Sequence, residues 1–141
     1  MNKLNNLFYC LSISLTSISV QLFGSFDSSL ITLFILMLLD IISGIIAAVY
    51  ISINSKTSKI SSTIMWKGLL KKTITIILVI ISYRLDILLQ VDYIRTAIVI
   101  AFIVNEALSI IENAANMGIK VPAFFKQLLS EVEKNQIKKG E

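Results

Sequence analysis

The residues best suited to chemistry lie in one short run, between positions 105 and 113. Asn105, Glu106, Glu112 and Asn113 place two carboxylates and two amides inside a stretch that is otherwise apolar enough to cross a membrane. A charged side chain in the middle of a bilayer costs about 2.5–3.5 kcal/mol and needs a partner helix or water beside it. Such groups can join helices, line water or hold a proton. This run is therefore the first candidate for a functional site.

A second polar face lies on the most apolar part of the chain, residues 28–53. Asp40, the only charge there, is followed at i+3, i+4 and i+8 by Ser43, Gly44 and Ala48. This spacing places all four on one side of a helix, and small residues let helices approach closely. The face either packs against another helix or subunit, with Asp40 hydrogen-bonded, or lines water in an assembled pore.

The two acidic positions fall at matching depths. Counted from the outer helix ends at about 1.5 Å per residue, Asp40 and Glu106 both lie about 18–20 Å deep. If they are adjacent, both would not stay ionised, and we expect at least one to share or hold a proton. Alternatively, Glu106 and Glu112 anchor lysines or backbone groups. The predicted assembly or pore-lining residues are Asp40, Ser43, Gly44, Ala48, Asn105, Glu106, Ser109, Glu112 and Asn113.

The composition is that of a membrane protein. Of the 141 residues, 55% are hydrophobic, and the mean hydropathy is +0.81, as is typical of chains that span a bilayer. Histidine is absent and Cys10 is the only cysteine. An internal disulfide is therefore impossible, a zinc site of His and Cys is excluded, and nucleophile–histidine pairs are missing. We expect no metal, no cofactor and no enzymatic activity.

Four apolar segments are each close to the roughly 20 residues that a helix needs to cross the hydrocarbon core. They comprise residues 4–23 (segment A), 28–53 (segment B), 68–90 (segment C) and 93–113 (segment D). The only proline, Pro122, follows all four, so no segment is interrupted. The sequence predicts one domain, an all-α integral membrane protein with four transmembrane helices. Three spans result if segment A, which is rich in serine, lies in the interface instead.

Segments C and D are predicted to insert together as a helical hairpin. Their uncharged cores cover only residues 73–83 and 96–105, and a very short turn near Val91 and Asp92 joins them. In a hairpin, the two helices can turn their polar groups towards each other and away from lipid.

Arg84 and Asp86 lie near the outer end of segment C. Being two residues apart, they do not face each other on a helix. We therefore expect their partners to come from Asp92, Arg95 or another subunit, with anchoring at the outer interface as their role.

The distribution of basic residues predicts the orientation. Residues 54–67 form a basic loop, and further lysines follow segment D, whereas the turn between segments A and B carries only Asp27. Because basic loops stay in the cytoplasm, both termini and this loop are predicted to be cytoplasmic. Near the surface, each basic residue also attracts anionic lipid by about 1 kcal/mol. The predicted topological and lipid-facing residues are Lys56, Lys59, Lys67, Lys71 and Lys72.

Residues 121–141 are predicted to form a cytoplasmic tail that begins with a short amphipathic helix. Gly118 is a suitable helix end and Pro122 a suitable first helical position. Apolar residues then share one face, which can rest on the inner membrane surface or on another subunit; they are Phe124, Phe125, Leu128, Leu129 and Val132.

Taken in order, these motifs resemble the toxin secretion/phage lysis holin family, small membrane proteins of phages and of clostridial toxin loci. The resemblance covers residues 38–129. It rests on Asp-Ile-Ile-Ser-Gly at 40–44, Trp-Lys-Gly-Leu-Leu-Lys-Lys at 66–72, the polar run at 105–113 and Gly-Ile-Lys-Val-Pro at 118–122. Ile41 departs from the family, which commonly has an aromatic residue after the aspartate.

The resemblance implies a holin, a protein that accumulates harmlessly in the cytoplasmic membrane and then assembles abruptly into lesions. The lesions release an endolysin, which is a cell-wall hydrolase, or a large toxin. The implied partners are other copies of the chain and membrane lipid, not nucleic acid. Two alternatives stay open: an antiholin or other regulatory subunit, and a small proton-coupled exporter that uses Asp40 or Glu106. The chain has few of the mid-membrane aromatic residues that line substrate cavities.

Overall fold

The computed structural model describes residues 3–54 and 62–125, together with Gln127 and Glu131. Within these residues the chain is helical and contains no strand, which confirms the all-α prediction. The predicted segments A to D correspond to four helices: α1 (Lys3–Phe23), α2 (Ser28–Asn54), α3 (Ser62–Leu89) and α4 (Ile94–Asn116).

The largest difference from the predicted bounds is at the start of α3. This helix begins at Ser62, so the last part of the predicted basic loop, residues 62–67, is helical. No proline or glycine separates these residues from Gly68, and nothing in the sequence stops the helix from extending towards its amino end. Lys56 and Lys59 lie outside the described residues.

In the described part of the chain, three helices are long and apolar enough to cross a membrane, namely α1 over Asn5–Phe23, α2 and α4. Helix α3 has sufficient length, at 28 residues. Its composition does not identify it as a span because it carries five charged side chains, Lys67, Lys71, Lys72, Arg84 and Asp86. A fourth span therefore stays a prediction.

Helix α1 satisfies its many hydroxyl groups within its own backbone. The hydroxyls of Ser14, Thr16 and Ser19 donate to the carbonyl oxygens four residues earlier, at 2.8–2.9 Å. These bonds satisfy the donors of three hydroxyl groups on a helix whose side chains are mostly exposed. Serine and threonine are thereby compatible with a membrane environment.

Helix α4 is the central element of the bundle. It packs along α2 and along α3, while α1 contacts α3. The apolar core contains Leu30, Leu33 and Met37 of α2, which are buried with Val79 of α3 and Val99 of α4. Because Leu30 and Val99 lie near the starts of their helices, this core occupies the half of the bundle next to the α1–α2 and α3–α4 turns.

Asp86 organises the α3–α4 turn. Its two carboxylate oxygens accept hydrogen bonds from the backbone N–H groups of Ile94 and Arg95, each at 2.9 Å. Tyr93, which precedes α4, contributes no side-chain cap. The carboxylate of Asp86, on the neighbouring helix α3, caps α4 instead. Gln90 adopts a left-handed backbone conformation, with a φ of 55°, and lets the chain reverse. Helices α3 and α4 thus form the predicted hairpin, whose insertion into the membrane stays a prediction, and Asp86 binds the backbone of Arg95 rather than its side chain.

Arg95 joins the other turn at this end of the bundle to the start of α4. Its guanidinium donates to the carbonyl oxygens of Phe23 at 2.6 Å and Ser25 at 3.1 Å, and forms an ion pair with Asp27. Between them Gly24 has a φ of +76°, and a Cβ there would lie 2.7 Å from the ring of Tyr83. This turn therefore requires glycine.

Gly118 ends α4 as predicted. It has a φ of 81°, and the N–H groups of Gly118 and Ile119 return to the carbonyls of Ala115 and Ala114, the pattern of a glycine-terminated helix. After Pro122, residues 123–125 are helical. The rest of the predicted amphipathic helix lies largely outside the described residues.

The cap formed by Asp86 should be measurable as stability. We expect Asp86→Ala to lower the free energy of unfolding by about 1–2 kcal/mol, because two amides at the start of α4 lose their acceptor. Thermal unfolding in detergent micelles, followed by circular dichroism, measures this change. Asp92→Ala, at an exposed position of the same turn, is the matched control. An equal loss in both variants would contradict the capping role.

Candidate functional site

Beyond the apolar core, the centre of the bundle contains a buried cluster of charges. Nζ of Lys72 on α3 lies 2.9 Å from Oδ2 of Asp40 on α2 and also forms an ion pair with Oε2 of Glu106 on α4. The exposed fractions of these side chains are 9%, 16% and 5%. One ammonium group therefore joins three helices inside the bundle.

A second set of polar contacts extends the cluster along α2 and α4. Nδ2 of Asn113 donates to Oδ1 of Asp40 at 3.2 Å and to Oγ of Ser43 at 2.9 Å. The Ser43 hydroxyl in turn donates to the backbone carbonyl of Asp40 at 3.0 Å. Both oxygens of the Asp40 carboxylate are thus occupied, one by Lys72 and the other by Asn113.

Helical spacing explains why these side chains meet. Asp40 and Ser43 are three residues apart on α2, and Glu106 and Asn113 are seven apart on α4, so each pair lies on one face of its helix. Gly44 faces the same contact. A Cβ added to it would lie 3.6 Å from Nδ2 of Asn113, an ordinary contact, so the close approach of α2 and α4 does not require glycine there.

The electrostatics favour the cluster only as a whole. Moving an ammonium or a carboxylate out of water is costly, and a buried pair offsets that cost only when its remaining hydrogen-bonding groups are also satisfied. Among the described residues, every buried side-chain nitrogen and oxygen has a partner. Removing one member of such a cluster typically destabilises a protein by about 3–5 kcal/mol, because the charge left behind is uncompensated.

The structure tests one of the two interpretations of Glu106. The alternative in which Glu106 anchors a lysine is confirmed, and the lysine is Lys72. The same role was predicted for Glu112, but Glu112 is exposed and makes no ion pair with any described residue. Whether Asp40 or Glu106 carries a proton stays a prediction.

The prediction that Lys72 faces lipid is wrong. Lys72 is buried, whereas its neighbour Lys71 is exposed. Consecutive residues on a helix point about 100° apart, so only one of two adjacent lysines can enter the bundle. The depth count that paired Asp40 with Glu106 could have identified the pair Lys71 and Lys72, because an antiparallel α3 brings both to the same level, but not which of the two is buried. For Lys67, the structure describes the helical backbone only.

The remaining predicted residues do not enter the cluster. Ala48 and Ser109 are half-buried at its margins, and Asn105 is exposed although it precedes the buried Glu106. Asn105 and Glu112 therefore belong to the outer surface of α4. Among the described residues, no group of cysteine, aspartate or glutamate side chains is arranged to hold a metal ion.

Proteins with similar sequences occur in bacteria and in a bacteriophage. An uncharacterised protein of Clostridium perfringens is 32% identical over 120 residues, which cover 83% of this chain and 84% of the relative. An uncharacterised protein of Listeria monocytogenes is 35% identical over 77% of this chain and 74% of its own length. A probable holin of Bacillus phage phi105 is 32% identical over 76% of each chain.

A family model matches most of the chain, including all of α2, α3 and α4. The bacteriophage holin family aligns with residues 17–134, from the second half of α1 into the carboxyl-terminal tail. No solved structure matches the chain. The family and the three candidate spans indicate a multi-pass protein of a bacterial membrane. Since the match extends over most of its length, the chain belongs to the bacteriophage holin family.

Proposed function

We propose that this protein is a holin whose copies oligomerise in the bacterial cytoplasmic membrane and form a lesion for an endolysin or a large toxin. Membership of the family and the similarity to a probable phage holin support the holin role. The structural observation that carries the proposal is the buried cluster of Asp40, Lys72 and Glu106.

The cluster suits a protein that must be harmless in one state and line water in another. In the closed bundle its charges satisfy one another, so three helices can stay in lipid at little cost. In a water-filled lesion the same groups would be solvated individually and would no longer need one another. The two interpretations of the polar face on α2, internal packing and water lining, thus describe the closed and the assembled state.

The cluster also supports a fourth span. Of the charged residues on α3, Lys72 is neutralised inside the bundle and Asp86 is bound by backbone amides of α4. Lys67 and Arg84 each lie five residues from an end of α3, where long basic side chains can reach the interface. Four spans place both termini and residues 54–67 on one side of the membrane, and their basic residues make that side the cytoplasm.

Holin activity is tested by induced expression in a bacterium, with and without an endolysin that lacks a secretion signal. We expect a sudden loss of membrane potential after a lag, and lysis only when the endolysin is present. Turbidity and membrane potential are followed together. Steady growth with intact potential would contradict an autonomous holin. An antiholin would instead delay lysis by another holin, and an exporter would show saturable transport of a substrate.

The carboxylates of the cluster should set the time of lysis. We expect Asp40→Asn and Glu106→Gln to advance lysis without preventing membrane insertion, because each removes one ion pair that holds the closed bundle together. The delay between induction and depolarisation is the measurement, with equal protein amounts verified by immunoblotting. Asp92→Asn is the matched control. Unchanged timing in both variants would remove these residues from the mechanism.

Lys72 should matter most for stability. We expect Lys72→Met to lower the free energy of unfolding by about 3–5 kcal/mol, because it leaves two carboxylates in the bundle without a cation. Lys71→Met, the same change at an exposed position one residue earlier, should cost far less. Chemical unfolding in detergent micelles compares the two variants. Similar losses at both positions would show that the cluster does not stabilise the bundle.

A further inference from the structure

The outer face of α4 carries polar side chains that the bundle leaves uncovered. Ala101, Asn105, Glu112 and Asn116 are all exposed, and their separations of four, seven and four residues place them on one stripe of the helix. Among the described residues, neither Asn105 nor Glu112 has a side-chain hydrogen bond or an ion pair. Yet α4 is one of the helices apolar enough to cross a membrane.

A groove between α3 and α4 adjoins this stripe. Its volume is about 500 Å³, and Asn105 lies on its α4 side. Apolar side chains form most of its walls, including Ile74, Leu78 and Phe102, while Lys71 provides a positive charge. Lys71 is exposed and forms no ion pair with any described residue. The groove and the stripe together form a continuous surface with a cation, an amide and an anion that have no partner within residues 3–54 and 62–125.

Lipid alone satisfies this surface poorly. Acyl chains could fill the apolar groove, but they offer nothing to Asn105. Headgroups, whether anionic or zwitterionic, stay at the interface, whereas Asn105 lies eleven residues, about 17 Å, from the carboxyl end of α4. An unpaired amide or charge facing hydrocarbon is costly. A partner that suits all three groups must carry an anion, a cation and an amide at corresponding depths.

A second copy of the chain in the same orientation has these groups at the correct depths. Lys72 pairs with Glu106, so these two residues lie at the same depth. Glu112 is six residues beyond Glu106, and Lys71 is one residue beyond Lys72 in the same direction. At about 1.5 Å per residue, Lys71 and Glu112 differ in depth by about 8 Å. The lysine side chain can cover most of that distance. Between equally oriented copies, Asn105 faces Asn105, and the surface is complementary to itself in charge.

We propose that this surface is the contact between copies of the chain in the membrane. Lys71 of each copy pairs with Glu112 of the other, the Asn105 amides bond across the contact, and each apolar groove is filled by side chains of the other copy, so this surface joins copies in pairs. The proposal rests on the proposed function, and it names the surface through which the copies assemble. The buried cluster then belongs to the interior of each subunit, and this surface to the contact between subunits.

The contact is tested by Förster transfer between copies labelled with donor or acceptor at Cys10, the only cysteine, which is exposed. Wild-type protein in phosphatidylcholine vesicles should show transfer. Lys71→Glu or Glu112→Lys alone should weaken association about tenfold, because attraction becomes repulsion between like charges. Lys120→Glu, the same charge change at an exposed site outside the surface, should leave the transfer unchanged.

Mixing the two variants gives the decisive result. When donor-labelled Lys71→Glu meets acceptor-labelled Glu112→Lys, each contact between unlike copies again joins opposite charges, and we expect transfer to return. Recovery would also show that both variants fold. Lys71→Gln and Glu112→Gln, which are milder changes, should each weaken transfer less than the reversals. If transfer does not return on mixing, the contact is wrong. If the single variants lose transfer only in vesicles that contain anionic lipid, the contact is also wrong, and Lys71 binds lipid instead.

The outcomes separate this proposal from the proposed function. If the wild-type protein depolarises cells but both charge reversals associate normally, the contact is wrong and the holin role stands. If the copies associate through this surface but never depolarise cells, the contact stands and the holin role is wrong. Absence of transfer between wild-type copies at every ratio of protein to lipid would overturn the contact directly.

Discussion

The ammonium group of Lys72 determines how α2, α3 and α4 are placed in this bundle. It contacts Asp40 on one neighbour and Glu106 on the other, and all three side chains are largely buried. A cation in such surroundings needs both its partners and the geometry that holds them. The helices therefore cannot slide or rotate freely about one another without separating a buried charge from its partner. The contacts of Asn113 with Asp40 and Ser43 complete the same constraint between α2 and α4.

Other interactions divide the bundle into three layers along its axis. At the end with the turns, Asp86 caps α4 and Arg95 holds the α1–α2 turn. Next comes the apolar core around Leu33 and Val79, and beyond it the charged cluster. The apolar core loses stability whenever it is opened to water, because it depends on packing, and the polar contacts at the turns fix the ends of the helices that form it. The charged layer differs, since water can replace each of its contacts. In the proposed lesion, this layer is the part of the bundle that can open towards water.

Much of this organisation could be predicted from local patterns in the sequence, because hydropathy and helical spacing are strong signals in membrane proteins. The four helices, the hairpin of α3 and α4, the end of α4 at Gly118 and the matching depths of Asp40 and Glu106 were all accessible in this way. The burial of Lys72 was not predicted. Lysines next to an apolar segment are ordinarily a sign of the cytoplasmic side, and the choice between two adjacent lysines depends on the rotation of α3 against its neighbours. The contact between Asn113 and Ser43 likewise depends on the packing of whole helices.

The burial of one lysine and the exposure of the next give α3 two separate electrostatic tasks. Lys72 has its anions within the subunit, so its attraction is already satisfied and cannot draw in another copy. Lys71 has none among the described residues, so its attraction is free to act between subunits. A protein that must first exist as separate closed bundles and then assemble needs this division. If both lysines were internal, the copies would lack a charged contact; if both were external, the carboxylates on α2 and α4 would repel each other inside the bundle. Two adjacent lysines thus serve separately the stability of one subunit and the contact proposed between subunits.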